Sequence, residues 1–154
     1  MKNIISLSII IIIALSCVNQ PNNKDQENFS LNDTITTTSG LKYIFLKKGK
    51  GPKIELGSEV KAYTDLYIND ADTIFWTTAT EKDSVFQFTH GKTRLIKGFS
   101  ELNNYLSEGD EVIAILPDSL AYGKAGRNGM PGGATLIYKP YIVKSVSEPK
   151  ESTH

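Results

Sequence analysis

Short stretches of alternating apolar and polar residues, separated by turn signals, dominate the chain after residue 39. The clearest is 59–68, where Val60, Ala62, Leu66 and Ile68 share one face. A period of two is typical of a strand that buries one face and exposes the other. The same pattern, bounded by Gly, Pro, Asn and Asp, predicts further strands at 41–48, 73–77, 85–89, 111–116 and 135–146.

One segment has helical spacing instead. Phe99, Leu102, Tyr105 and Leu106 recur every three or four residues, which places them on one stripe of a helix. Strands and helices do not alternate along the chain, so a parallel sheet is not expected. The predicted fold is therefore α+β, with a curved antiparallel sheet wrapped around one short helix.

The N-terminus is an apolar segment that ends in a cysteine. Residues 4–15 are apolar except for two serines and follow a single lysine. The segment is shorter than the ~20 residues of a membrane-spanning helix and is typical of an export signal. Residues 14–17 (ALSC) resemble a bacterial lipobox, which predicts a lipoprotein signal peptide at 1–17 and lipidation of Cys17. A plain signal peptide or an uncleaved anchor is the alternative.

Polar segments flank the predicted domain. Residues 18–38 are rich in Asn, Asp, Thr and Gln, so they are expected to form a flexible tether. The folded domain is predicted at 39–147 and a disordered tail at 148–154. Together with a lipidated cysteine, this organisation predicts a membrane-anchored lipoprotein of the bacterial cell envelope, on its periplasmic or cell-surface side.

Composition excludes several kinds of chemistry. The chain has 17 basic and 17 acidic residues, so the basic excess of a nucleic-acid-binding protein is missing. One cysteine and two histidines are too few for a zinc site, a disulfide framework or a Cys/His dyad in the folded region. No metal or cofactor is therefore expected. The acidic cluster at 108–111 is interpreted as a solvated turn and His90 as a surface or edge residue, and neither is given a catalytic role.

Several motifs occur in a fixed order through the predicted domain: FxFxxG at 86–91, LIKGF at 95–99, LAYG at 120–123 and ATLIY at 134–138. Together they resemble the FKBP family of prolyl isomerases, over roughly 39–146. The resemblance implies a half-barrel of antiparallel strands over one helix, peptidyl-prolyl cis–trans isomerase activity, and proline-containing polypeptides as substrates. Among bacterial members, the chain is similar to FKBP-type lipoproteins associated with gliding motility.

The resemblance also implies an aromatic pocket. The Ile96 amide and the Tyr122 hydroxyl are expected to bind substrate carbonyls, and Phe99 to form the floor where the family usually has a tryptophan. Tyr63 is a candidate for the pocket wall, although strict alternation from Val60 would place Thr64 there instead. On the returning strand, either Phe75 or Trp76 can fill the aromatic position. The expected substrate-binding residues are Tyr63, Phe75, Trp76, Phe86, Leu95, Met130 and Tyr138.

Departures from the family pattern leave two classes of function open. The returning strand continues into Trp76 or Thr77 where the family has a pocket aspartate, and the loop at 126–133 is shorter. The leading hypothesis is an isomerase that assists folding of exported or envelope proteins. The alternative is a binding or chaperone module with little turnover in an envelope complex. Arg94, beside Leu95, is interpreted as a solvated strand charge, with a position near the rim of the pocket as the alternative.

Overall fold

The computed structural model describes residues 30–127 and 129–149. Within them, strands β1 to β5 are followed by helix α1 and then by β6 and β7. Single 3-10 turns lie in the connections at Thr78–Thr80, Lys82–Ser84 and Asp118–Leu120. The strands are β1 Thr34–Thr36, β2 Lys42–Lys47, β3 Glu59–Ile68, β4 Trp76–Thr77, β5 Phe86–Thr89, β6 Glu111–Leu116 and β7 Leu136–Ser147, and α1 is Lys97–Asn103.

Neighbouring strands pair antiparallel in the order β1-β2-β6-β7-β3-β4, and β5 also pairs with β3. Strand β3 therefore has β7 on one side and both β5 and β4 on the other. Its register against β7 shifts between 61 and 62 and between 64 and 66. Such bulges bend a strand and increase its twist, which curves the sheet. The predicted α+β fold is confirmed.

The two strands with the clearest sequence pattern bury one face. Every second residue from Val60 to Leu66 in β3 is buried, and so is every second residue from Val112 to Leu116 in β6. The residues between them are half-buried or exposed. Because burial follows the period of two, the observed bounds of β3 and β6 are those predicted from alternation.

Helix α1 packs closely against the sheet through its buried residues, which include Gly98 and Phe99. A Cβ atom at position 98 would lie 2.8 Å from the Leu116 side chain, so only glycine permits this approach. Fully buried Asn103 donates to the Phe99 carbonyl oxygen (2.8 Å) and accepts from the Tyr141 hydroxyl (2.8 Å). Burial raises the pKa of Tyr141, so its hydroxyl remains a donor at neutral pH.

The helix is shorter than the predicted stripe. It ends at Asn103, and the N–H groups of Tyr105 and Leu106 donate to the carbonyl oxygens of Leu102 (3.0 Å) and Asn103 (3.4 Å) in a turn. Leu106 is buried, but Tyr105 is 40% exposed and its ring stacks on Tyr43 with a centroid separation of 5.4 Å. Tyr105 is therefore not part of a helical core face.

The folded region begins before residue 39. Residues Thr34–Thr36 form β1, which pairs with Lys42, Tyr43 and Ile44 of β2. The tether predicted through residue 38 is wrong for this stretch, because an edge strand is held by backbone hydrogen bonds and can have a polar sequence. The returning strand predicted at 73–77 is also shorter, Trp76–Thr77.

The predicted signal peptide, Cys17 and residues 150–154 of the predicted tail lie outside the described residues. Of the helices in the described ranges, none has the length and apolar character required to cross a bilayer.

Asp110, from the acidic cluster predicted to be solvated, is fully buried. Its carboxylate accepts hydrogen bonds from the N–H groups of Gly49 (2.6 Å) and Ser107 (2.7 Å) and forms an ion pair with Lys48 at 3.1 Å. It therefore joins the loop after β2 to the turn before β6. The expectation of a solvated carboxylate is wrong here, because composition does not show which acidic residue of a turn faces inward.

His90 is also buried, with 3% of its surface exposed, so of the two positions predicted for it, surface or edge, the surface one is wrong. Its Nε2 lies 2.8 Å from Oδ1 of Asn104, and its Nδ1 has no partner within the described residues. The His90 N–H donates to the Ser58 carbonyl oxygen, and the His90 carbonyl oxygen accepts from the Gly57 N–H. These bonds hold His90 against the turn before β3.

Candidate active site

A cavity of about 640 Å³ is bounded by α1, by β3, β4, β5 and β7, by the loop at 94–96, and by Tyr122, Arg127 and Met130. It brings together every residue predicted for the pocket except Tyr63. Cys17, predicted as the lipidation site, lies outside the described residues. The lining consists of Thr64, Leu66, Phe75, Trp76, Phe86, Arg94, Leu95, Ile96, Phe99, Tyr122, Arg127, Met130 and Tyr138.

Phe99 of α1 lies at the centre of the aromatic packing around this cavity. It is 4% exposed. Its ring centroid lies 5.1 Å from that of Tyr138, 5.2 Å from Tyr141, 5.7 Å from Phe88 and 6.0 Å from Phe86. These separations are those of favourable aromatic pairs. The inner end of the cavity is therefore an apolar surface that neighbouring rings hold in place.

The aromatic wall continues from β5 to β4. The Phe86 ring is perpendicular to Trp76 at 6.3 Å and stacks on Phe88 at 5.4 Å. Phe88 is buried behind the wall and does not line the cavity, as expected of a core residue. Both candidates for the returning-strand aromatic face the cavity: Trp76 is half-buried, whereas Phe75 is 49% exposed at the mouth.

Ile96 immediately precedes α1 and has an extended backbone (φ −65°, ψ 150°). Its backbone N–H has no hydrogen-bond partner among the residues that the structure describes. Unpaired backbone donors are uncommon in folded proteins unless water or a ligand reaches them. Since Ile96 also lines the cavity, this N–H is available to a bound carbonyl group.

Tyr122 is positioned by the backbone hydrogen bonds of its two neighbours. The N–H groups of Ala121 and Gly123 both donate to the Asp118 carbonyl oxygen (3.0 and 2.8 Å), and the Gly123 carbonyl oxygen accepts from the Gly133 N–H (2.9 Å). The Lys124 ammonium donates a 2.8 Å hydrogen bond to the Asp118 carboxylate and lowers the pKa of that group. The Tyr122 hydroxyl itself forms no hydrogen bond within the described ranges, so it can bind another molecule.

Tyr138 of β7 supplies a further hydroxyl beside the aromatic floor. Burial raises its pKa, and nearby Tyr122 raises it further. Tyr138 therefore stays protonated at neutral pH and places no negative charge against the apolar inner surface.

The prediction that Tyr63 lines the pocket is wrong, because alternation along β3 places Thr64 on the inner face instead. Thr64 is buried, and its hydroxyl donates to the Pro140 carbonyl oxygen at 2.8 Å. Tyr63 lies on the other face, where its hydroxyl is 3.3 Å from the Asp65 carboxylate and the Lys144 ammonium lies 6.0 Å from its ring centroid.

The position after Trp76 has a hydroxyl where the family has a pocket carboxylate. Thr77 Oγ1 donates to the Asp65 carboxylate at 2.5 Å, and Asp65 does not line the cavity. The lining formed by the described residues contains no carboxylate. Within the same residues, no His, Cys, Asp and Glu side chains cluster as a metal site would require.

Four lining residues were not among the expected site residues, although Thr64 was the alternative to Tyr63: Thr64, Leu66, Arg94 and Arg127. The two on β3 follow from the alternation that already placed Val60 inside, so the signal was present in the sequence. For Arg94 the only signal was its place beside Leu95, and Arg127 has none, because a charged residue in a loop gives no indication of which way it faces. Arg94, interpreted as a solvated charge, is exposed but stands at the mouth of the cavity.

Comparisons with known proteins agree with this geometry. The profile described as FKBP-type peptidyl-prolyl cis-trans isomerase matches residues 51–141. The FKBP-type peptidyl-prolyl cis-trans isomerase FkpA of Buchnera aphidicola subsp. Baizongia pistaciae is 27% identical over 112 residues, which cover 72% of this chain and 43% of that protein. FK506-binding protein 4 of Aspergillus oryzae is 32% identical over 104 residues, covering 68% of this chain and 22% of that protein.

Among solved structures, FkpA from Escherichia coli superposes with a TM-score of 0.68 at 25% identity, covering 76% of this chain and 53% of that one. A peptidyl-prolyl cis-trans isomerase from Pseudomonas syringae pv. tomato has the same fold. It superposes with a TM-score of 0.64 at 19% identity, covering 75% of this chain and 81% of that one. The chain thus spans about half or less of the length of its curated relatives.

Proposed function

Because the chain belongs to the FKBP-type peptidyl-prolyl cis-trans isomerase family, we propose that it catalyses cis–trans isomerisation of the peptide bond before proline in polypeptide substrates. The observation that carries the proposal is the convergence of aromatic side chains from α1, β4, β5 and β7 on one cavity, with an unpaired backbone donor beside it.

The reaction needs no bond to be made or broken. Rotation about a peptide bond faces a barrier of ~18–20 kcal/mol because its C–N bond has partial double-bond character. X–Pro bonds populate both isomers but exchange over tens to hundreds of seconds, which is slow enough to limit folding. A catalyst must therefore bind the half-rotated amide better than either planar form. A thousandfold acceleration requires ~4 kcal/mol of such preference.

An apolar cavity supplies this preference because the half-rotated amide has lost resonance and carries less charge on its carbonyl oxygen. It loses less solvation than the planar amide on entering a dry pocket. In this chain the floor around Phe99 would hold the proline ring, with Trp76 and Phe86 as walls. The Ile96 N–H and the Tyr122 hydroxyl would bind carbonyl groups of the flanking chain and hold it in place while the bond rotates.

The role of the Ile96 N–H can be tested by substituting proline. We expect Ile96→Pro to lower kcat/KM about 3- to 10-fold below that of Ile96→Ala, because a neutral hydrogen bond contributes about 0.5–1.5 kcal/mol. Proline fits the observed φ of −65° and removes a donor that has no partner in the described fold. The measurement is peptide isomerisation, with thermal unfolding of both variants as a control for folding.

Ile96→Ala is the matched control, because it truncates the side chain but keeps the N–H. Equal kcat/KM for the two variants, with equal melting temperatures, would show that the donor does not take part.

The second candidate function is a binding or chaperone module with little turnover. It is favoured by two exposed apolar side chains directly before β4, Ile74 at 45% and Phe75 at 49% exposure, of which Phe75 lines the cavity. Such side chains could hold unfolded segments. Retained suppression of aggregation of an unfolded protein, with isomerisation at the uncatalysed rate, would favour this function over the first.

The proposal also includes where in the cell the domain acts. The lipobox-like sequence at 14–17 supports attachment to the cell envelope through Cys17, where the domain would assist folding of exported proteins. We expect Cys17→Ser to abolish incorporation of a labelled fatty acid when the full chain is expressed in a bacterium. Ser16→Ala is the matched control and should keep the label, since alanine is also a small residue. Label that persists in Cys17→Ser would refute lipidation at this residue.

A further inference from the structure

The mouth of the cavity is positively charged although the chain as a whole has no net charge. Arg94 and Arg127 both line it, and its lining within the described residues has no carboxylate to neutralise them. Both arginines are exposed. The ion pairs found in the described part of the chain join Lys48 to Asp110 and Lys124 to Asp118, so neither guanidinium is engaged by a carboxylate there.

The backbones that hold the two arginines are themselves fixed. Arg127 and Met130 exchange hydrogen bonds between their N–H and carbonyl groups, at 3.0 and 2.9 Å, which closes a tight turn beside a lining residue. Arg94 follows a turn that two hydrogen bonds between Thr89 and Thr93 close. The Thr93 N–H donates to the Thr89 carbonyl oxygen (2.8 Å), and the Thr89 N–H donates to the Thr93 hydroxyl (2.9 Å). Arg94 directly precedes the segment that carries the unpaired Ile96 N–H.

Two guanidinium groups carried by fixed backbones at the edge of an aromatic cavity favour an anionic ligand. Arginine presents several donors in a planar fork that matches the two oxygens of a carboxylate. Apolar walls next to the charges lower the local dielectric constant and strengthen the attraction. A proline seated on the aromatic floor keeps its neighbouring residues at the mouth, within the field of these arginines.

We propose that Arg94 and Arg127 select substrates in which an acidic side chain flanks the proline. This inference rests on the proposed function, which supplies the substrate: a polypeptide whose proline binds on the aromatic floor. It adds that the same site prefers substrates with acidic residues next to that proline. The arginines act as specificity-determining residues, and they take no part in rotation of the bond itself.

The test compares peptides that contain Glu, Gln or Lys directly before or directly after the proline, with the full chain purified in detergent. Two quantities are measured for each peptide: the dissociation constant, and the rate of cis–trans exchange by NMR. We expect Glu peptides to bind about 3- to 10-fold more tightly than Gln peptides at one or both positions, as for a rim charge pair at low salt. Lys peptides should bind most weakly, and added salt should reduce the differences.

The double variant Arg94→Gln/Arg127→Gln should bring the Glu-to-Gln ratio of dissociation constants close to one. Lys92→Gln is the matched control, since it removes an exposed positive charge from the turn before Arg94 without changing the lining, and it should keep the wild-type ratio. Equal binding of Glu and Gln peptides by the wild type, or a preference that survives in the double variant, would overturn the inference. Failure of exchange with a retained Glu preference would instead count against the isomerase function alone.

Discussion

We expect Phe99→Ala to lower the free energy of unfolding by about 3–5 kcal/mol, the usual cost of truncating a buried phenylalanine. Phe99 is 4% exposed and contacts four aromatic rings at centroid separations of 5.1 to 6.0 Å. Its removal takes away the floor of the cavity as well as core packing. Isomerisation by the folded fraction should therefore fall more than about tenfold, which corresponds to ~1.4 kcal/mol of lost transition-state binding.

Denaturant unfolding measures the loss of stability, and peptide isomerisation under native conditions measures the loss of activity. Phe75→Ala is the matched control for stability, because its ring is 49% exposed and truncation should cost less than about 1 kcal/mol. Phe99→Leu keeps the core filled but removes the ring, so it should lose activity with a smaller loss of stability. Wild-type turnover in Phe99→Leu would contradict an aromatic floor.

The second large effect is expected far from the cavity. Asp110→Ala should lower the free energy of unfolding by about 2–5 kcal/mol, because it leaves the N–H groups of Gly49 and Ser107 without their acceptor. The carboxylate is fully buried and also pairs with Lys48. Since Asp110 does not line the cavity, kcat/KM of the folded fraction should be unchanged.

The neighbouring Glu111→Ala is the control, as the Glu111 side chain is half-buried and forms no hydrogen bond within the described residues. Its substitution should change stability by less than about 0.5 kcal/mol. Equal unfolding free energies for the two alanine variants, measured with urea, would show that the Asp110 hydrogen bonds do not hold the turn together.

The sequence predicted most of the sheet because its strands bury one face. Burial alternates from Val60 to Leu66 in β3 and through all of β6, so the period of two in the sequence locates both strands. β1 could not be found in this way. Thr34 and Thr36 are exposed, and the strand exists because its backbone pairs with β2, a partner that local sequence does not reveal.

The site was predicted to a similar degree, and for a different reason. The resemblance to the family located the aromatic residues, but it also indicated Tyr63, which does not line the cavity. The period of two along β3 indicated Thr64, which does. For Arg94 a rim position was only an alternative, and Arg127 could not be predicted, because the direction of a charged side chain in a loop depends on the backbone turn that carries it. The same limit applies to Asp110, whose burial depends on the approach of Gly49 from another part of the chain.

The proposed catalysis requires that this cavity lower the barrier to rotation. The most direct test is NMR exchange between the cis and trans forms of a Leu–Pro peptide, with and without the purified chain. We predict an exchange rate that rises in proportion to protein concentration and falls when Tyr122 is replaced by phenylalanine. Exchange that remains at the uncatalysed rate, while the folded chain binds the peptide, would contradict catalysis.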